Sequence, residues 1–289
     1  MDSPKPFLTE ILHQVVELGD DRALCAGFER KKWRSDQLAD HVLEWLPEFA
    51  LKHSELEELG HANAMKLIRR AAKTVYQSEK YEKRGEFGEI MLHIAMRQFY
   101  DTLPAISKIF YKTSANETVK GFDAVHVVRG ETGLELWVGE TKFYRCLKSA
   151  IRDVVAEIID HLETDYLRSE FIFIANKIDP SWPEAEALNA LIDQSSSIDE
   201  VFASMCIPVL LTYESPATAG STEIDQKYVQ EIEKELMSEF ARLRTSLCEK
   251  YKDKYDEDFG ITLHVLVIPL ADKDSFIESL DKKLKGLQA

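Results

Sequence analysis

A mixed α/β core is predicted between residues 84 and 213, and three observations predict it. An apolar stretch at helical spacing runs from Glu86 to Tyr100, punctuated at its start by Gly85 and Gly88 and stopped near Pro104. Extended segments follow, two of them joined by the short turn Gly130-Glu131-Thr132-Gly133. A long amphipathic helix and another apolar run then complete the order helix–strand–strand–strand–helix–strand, which is the pattern of a mixed sheet covered by helices.

Taken in order, residues 36–49 carry apolar positions at helical spacing (Leu38, Val42, Leu43, Leu46), closed by Pro47 and Phe49. Residues 54–75 form a second helical stretch. Residues 1–83 therefore read as a mostly helical N-terminal region, with residues 84–289 forming the second domain. The basic residues Lys66, Arg69, Arg70, Lys73, Lys80, Lys83 and Arg84 read as a solvated helix face. Strands are predicted at residues 106–113, 119–129 and 134–144, a helix at 147–167 and a buried strand at 171–175. Strands at 207–213 and 261–268 flank a long charged helix at 224–255, and the last helix and strand are read as additions to the core.

Composition narrows the function. The 289 residues are 45% hydrophobic, so the chain is no disordered tail. No apolar run approaches the ~18 residues of a membrane span, and the opening Met-Asp-Ser-Pro-Lys-Pro has no signal-peptide pattern; a soluble, cytoplasmic protein without membrane contact is expected. Cys25, Cys146, Cys206 and Cys248 lack zinc-finger or C-x-x-C spacing and read as reduced thiols. The formal charge of −15 argues against a free-standing nucleic-acid gripper, whose affinity comes from neutralising phosphates. Contact with DNA must then be local, metal-mediated or assisted by a partner.

The chemistry concentrates in the predicted hairpin. Strand periodicity puts Asp123, Val125 and Val127 on one face of the first strand. On the second it aligns Leu134, Leu136, Val138, Glu140 and Lys142. In an antiparallel pair the start of one strand lies beside the end of its partner, so Asp123, Glu140 and Lys142 converge. Carboxylates at the edge of a buried face are costly without a cation. The tripeptide acidic-x-Lys alone is weak, since it recurs at Glu29, Asp225 and Asp281. The strand context, the aspartate across the hairpin and the preceding glutamate-bearing helix are what chance rarely supplies.

That order of Glu on a helix, Gly-x-Asp, then Glu-x-Lys resembles the PD-(D/E)xK nuclease superfamily. More closely, Arg84-Gly85-Glu86-Phe87-Gly88-Glu89, Lys120-Gly121-Phe122-Asp123 and Gly139-Glu140-Thr141-Lys142-Phe143-Tyr144 resemble the HamA proteins. These are the nuclease subunits of Hachiman antiphage defence, which act with the helicase HamB. The resemblance implies a restriction-endonuclease-like core and a metal-dependent deoxyribonuclease. It implies Asp123 and Glu140 as metal ligands, Lys142 as the catalytic lysine, and a carboxylate from the preceding helix. Glu89 is preferred over Glu86 for that carboxylate, because it lies deeper in the helix. Mg²⁺ is the expected ion, with Mn²⁺ an alternative, and the Thr141 carbonyl is a further candidate ligand. HamB and DNA are the implied partners; residues 1–83, with no catalytic pattern of their own, are the natural docking region, and the long helix at 224–255 is a rival.

Other residues are weaker candidates. His126 falls on the opposite strand face from Asp123, and His93 reads as a packing residue. Asn176-Lys177-Ile178-Asp179 resembles a GTPase base-reading motif, but no Gly-x-x-x-x-Gly-Lys-[Ser/Thr] accompanies it. Two competing classes remain: a catalytically silent, helicase-binding regulator, and a stand-alone repair or restriction nuclease. The converging charges count against the first and the acidic balance against the second.

Overall fold

The computed structural model describes residues 3–75, 85–107, 121–130 and 133–289. The chain opens with a hairpin of β1 (Thr9–Val16) and β2 (Gly19–Cys25), then the short strands β3 (Phe28–Glu29) and β4 (Lys32–Trp33). Four helices follow: α1 (Ser35–Glu44), α2 (Leu46–Ala50), α3 (His53–Glu57) and α4 (Ala64–Val75). The predicted core begins with α5 (Glu86–Tyr100), β5 (Leu103–Ser107), β6 (Ala124–Arg129) and β7 (Leu134–Phe143). It continues through α6 (Leu147–His161), α7 (Thr164–Lys177), α8 (Ala185–Leu191), α9 (Ile198–Ala203) and β8 (Met205–Glu214). The remainder is α10 (Pro216–Gly220), α11 (Gln226–Tyr255), β9 (Thr262–Leu270) and α12 (Lys273–Gln288).

Among the described residues one sheet has seven strands in the order β1-β2-β9-β8-β7-β6-β5. The centre is parallel, β2 to β9, β9 to β8 and β8 to β7, and an antiparallel hairpin closes each side. Physical chemistry accounts for the division. Central parallel strands are covered on both faces, and β8 is accordingly an almost unbroken apolar run, buried from Met205 to Tyr213. Antiparallel pairs need only a short turn, whereas each parallel pair needs a long helical crossover: α6 to α9 precede β8, and α10 and α11 precede β9.

Two hydrophobic cores sandwich the sheet. On one face Leu136, Val138 and Val209 pack with Val154 and Ile158 of α6 and Leu236 of α11. On the other, Trp137, Phe143 and Leu210 pack with Ile90 and Met91 of α5 and Phe276 of α12. Burying each such side chain contributes roughly 1.5–3 kcal/mol. Alternation along β7 therefore decides the site: Glu140 shares the α6 face with Leu136 and Val138, while Gly139, Thr141 and Phe143 face α5.

The structure corrects several sequence expectations. Residues 171–175, read as a buried strand, belong to α7. Leu167, Phe171 and Ile174 are buried at helical spacing while Ile172 is 44% exposed, so a five-residue apolar run masked one face of a helix. The helix expected over 147–167 is two helices, α6 ending at His161 and α7 starting at Thr164. Residues 1–83 contain helices as expected, but also β1 and β2, which join the same sheet as the predicted core. The strand read as a C-terminal addition, β9, lies mid-sheet between β2 and β8. Its neighbours are distant in sequence, so local pattern could not place it. At Gly19 (φ +111°) an added Cβ would fall 2.1 Å from the Leu263 carbonyl oxygen, so only glycine lets β2 approach β9 there. Residues 108–113, 119–120 and 131–132, with Lys80, Lys83 and Arg84, lie outside the described residues.

Candidate active site

The hairpin brings its charges together. Ala124 is paired with Gly139, and the Asp123 amide donates to the Gly139 carbonyl at 2.9 Å. The Thr141 amide donates to Asp123 Oδ2 at 2.8 Å, which fixes the aspartate against β7 one residue beyond Glu140. The Thr141 hydroxyl donates to the Leu210 carbonyl at 3.0 Å, anchoring β7 to β8 at the same level.

Glu140 is fully buried, and its two oxygens have different surroundings. Oε1 lies 2.5 Å from His161 Nδ1, whereas Oε2 is buried without a hydrogen-bond partner. Burial is the main influence on this carboxyl, and the Asp123 charge adds to it; His161 opposes both, and the result is a pKa pushed up to about 7. Leaving a buried acceptor unpaired costs roughly 1–3 kcal/mol, and more when the group is charged. Such a group persists where something else is meant to meet it.

Lys142 forms an ion pair with Glu157 of α6. Burial works against its charge, but Glu140 and the hydrogen bond to Glu157 outweigh that and hold the lysine pKa above its ordinary value. Glu157 and His161 stand four residues apart on α6, one turn from each other. Glu140, Glu157 and His161 each offer a ligand atom, and these atoms all lie within 4.8 Å of one another. The His161 ring stacks on Tyr166 (4.5 Å, 6° between planes) and meets the edge of Phe122 at 5.2 Å. Phe122 is the residue before Asp123, so one hairpin supplies both the acid and a wall for the imidazole.

Asp123, Glu140, Thr141 and Lys142 thus occupy one end of the hairpin, as the strand register requires. Glu89 is buried in the first turn of α5, on the other side of the sheet, beside Gly88 where that helix touches Thr141 and Phe143. Neither Glu89 nor Asp123 is among the three residues, Glu140, Glu157 and His161, whose ligand atoms gather. His126 lies 3.2 Å from His93 on the α5 side, in a buried chain with Thr102 and apart from the acids. Glu157 and His161 escaped the sequence reading. Their signal was available: His161 continues the stripe Leu147, Ile151, Val154, Ile158, which places an imidazole in phase with core positions of the helix after the Glu-x-Lys strand.

The seven-stranded mixed sheet flanked by helices makes this an α/β protein, with a buried carboxylate–imidazole cluster at one hairpin end. The HamA family model matches residues 5–284, and the chain belongs to the HamA family. It is also similar to Anti-bacteriophage protein A of Escherichia coli strain K12, 23% identical over 288 residues, which covers 96% of this chain and 48% of that protein. The chain thus spans about half the length of the curated relative it matches. No helix among the described residues is long and apolar enough to cross a membrane.

Proposed function

We propose that this chain is a metal-dependent DNA nuclease of antiphage defence that works with a helicase of the HamB type. The observation that carries the reading is the buried, unpartnered Oε2 of Glu140 beside Asp123 and the Lys142 ammonium. The donor set fits a divalent cation: a Glu140 oxygen is buried with nothing to meet it, and the Asp123 carboxylate lies across from Glu140 on the neighbouring strand and acts on its charge. Asp123 and Glu140 would hold the ion, with the Thr141 carbonyl as a further oxygen. A divalent ion there supplies Lewis acidity for a phosphodiester and an acidified water for its hydrolysis.

The protein's own groups do the rest. The Thr141 amide and the strand register keep Asp123 in place before substrate arrives. Lys142 brings positive charge to the negative phosphate, and in the metal-free protein its ammonium is paired with Glu157. Glu89 would add a fourth carboxylate from the α5 side. The name of the curated relative supports a role against phage, and the −15 charge supports delivery to DNA by a partner, because the free chain neutralises few phosphates.

Plasmid incubated with the purified chain and its helicase, in Mg²⁺ or Mn²⁺, tests the reading. Asp123→Ala and Glu140→Ala should each reduce cleavage by ~10²–10³-fold or more while the fold persists. Cleavage by Glu140→Ala at the wild-type rate would remove Glu140 from the chemistry.

A further inference from the structure

The side chains around Glu140 do not form a purely carboxylate site. We propose that His161, with Glu157, completes the metal centre from α6, so that this site binds a nitrogen-accepting divalent ion such as Mn²⁺ in preference to Mg²⁺. The inference rests on the metal-site reading above and deepens it, by naming two ligands and the class of ion.

Geometry carries it. Ligand atoms held by one ion at about 2.1 Å are never more than about 4.2 Å apart. The donor atoms of Glu140, Glu157 and His161 already lie within 4.8 Å of one another, so small side-chain shifts bring them into range. Glu140 Oε2 supplies an independent sign: it is buried, with no donor to satisfy it, in the same cluster. The imidazole is also restrained. Tyr166 covers one face of the ring and Phe122 meets it edge-on, so His161 reaches the site with little rotational freedom left to lose. Its Nδ1 is the nitrogen aimed at Glu140.

Donor chemistry decides the ion. Imidazole suits Mn²⁺ and later transition ions, whereas Mg²⁺ prefers oxygens and retained waters. With the carboxylates of Asp123, Glu140 and Glu157 and the nitrogen of His161 the centre is mixed. The Lys142–Glu157 ion pair adds a consequence: once Glu157 turns to the ion, its hold on Lys142 loosens and the ammonium is released toward substrate. Loading the metal and freeing the lysine become one event.

Pulsed electron paramagnetic resonance on the full chain with MnCl₂ alone tests the ligand directly. Bound Mn²⁺ should show hyperfine coupling to a nitrogen, and ¹⁵N-histidine labelling should change that coupling. Titration calorimetry should show Mn²⁺ binding more tightly than Mg²⁺. His161→Gln should abolish the coupling and weaken Mn²⁺ binding about tenfold or more, with much less effect on Mg²⁺. Bound Mn²⁺ without nitrogen coupling in the wild-type chain would overturn the inference, whatever the variant does. The two readings fail separately. Nitrogen-coupled Mn²⁺ in a chain that never cuts DNA, even with its helicase, sinks the nuclease and leaves this centre standing. Metal-dependent cutting with no nitrogen coupling does the reverse.

Discussion

Asp20 and Glu140 are both buried carboxylates facing a histidine, and the protein surrounds them in opposite ways. Asp20 Oδ1 faces Tyr100 Oη (2.6 Å) and His264 Nδ1 (2.7 Å), while Oδ2 accepts from Arg22 at 2.7 and 2.9 Å and faces His13 at 3.1 Å. Burial penalises its charge, yet the bonds from His264, Tyr100 and Arg22 more than offset this and hold its pKa well below the usual carboxylate range. Glu140 has His161 alone on one oxygen and nothing on the other, and its pKa moves upward. The first network closes on itself and ties β2 to β9 and α5; the second is left open. Burial of an acid does not mark a site; at Glu140 the sign is an unmet buried oxygen together with a neighbouring carboxylate, an imidazole and a lysine.

The largest expected effect that sharpens this contrast is on Lys142. Lys142→Met should lower DNA cleavage by about 100-fold or more while leaving Mn²⁺ affinity intact or improved, since a competing cation has left the carboxylates. Equal losses of melting temperature and metal binding would instead make Lys142 a structural cation.

Next comes the closed network. Asp20→Ala takes the partner from Tyr100 and His264 and leaves Arg22 only Glu10, and should cost about 3–5 kcal/mol of stability at neutral pH, with no change in Mn²⁺ affinity. Because the folded-state pKa of Asp20 is depressed, its contribution is present above the ordinary value of 3.8 and is lost as pH falls through the lower folded value. Denaturant melts from about pH 2 to about pH 7, spanning the ordinary carboxylate pKa, would show the gap between wild type and variant shrinking in acid. A gap independent of pH would mean that packing, not charge, holds Asp20 in place.

Glu140 should show the opposite sign. Its folded pKa of about 7 stands above the ordinary 4.5, so the metal-free protein is most favoured below the ordinary value and loses stability as pH rises through about 7. Glu140→Gln should therefore match wild type near pH 4.5 and exceed it by up to about 3 kcal/mol above pH 7, in chelator. A variant less stable than wild type at every pH would remove the open-oxygen interpretation. The smallest effect is expected at Glu89, which lies beyond the three-residue cluster: Glu89→Gln should slow cleavage by roughly tenfold and leave Mn²⁺ affinity unchanged.

The hairpin that carries Asp123, Glu140 and Lys142 was legible because its information is local. Alternation from Asp123 to Val127 and from Leu134 to Lys142 sets both faces, and an antiparallel partner follows within a short turn. The helix acid was legible only as a residue, since nothing in Glu86–Glu89 reveals which layer α5 will cover. Glu157 and His161 were missed because their meaning depends on the parallel crossover that lays α6 over β7. The N-terminal strands were hidden for a related reason. β1 has half-exposed, weakly alternating positions, and β2 earns its place in the sheet from β9, far along the chain. Residues 171–175 misled because a run of five apolar residues carries no period.

The pairing of Gly19 with Leu263 also sets a timetable. During synthesis β1 and β2 leave the ribosome well before β9, so one side of β2 has no strand to bond until residues 262–270 appear. β8 waits equally for β9 on its outer side. A sheet closed by its last-made strand has high contact order, so it forms late and cooperatively. Truncation at the N-terminus is then no way to isolate a docking region: removing residues 1–83 exposes an edge of β9 that is apolar and unpaired. For a proposed DNA-cutting enzyme this order of assembly has a use of its own. The scaffold behind Glu140 and His161 is incomplete on every nascent chain, and becomes whole only when translation of the strand at its centre is done.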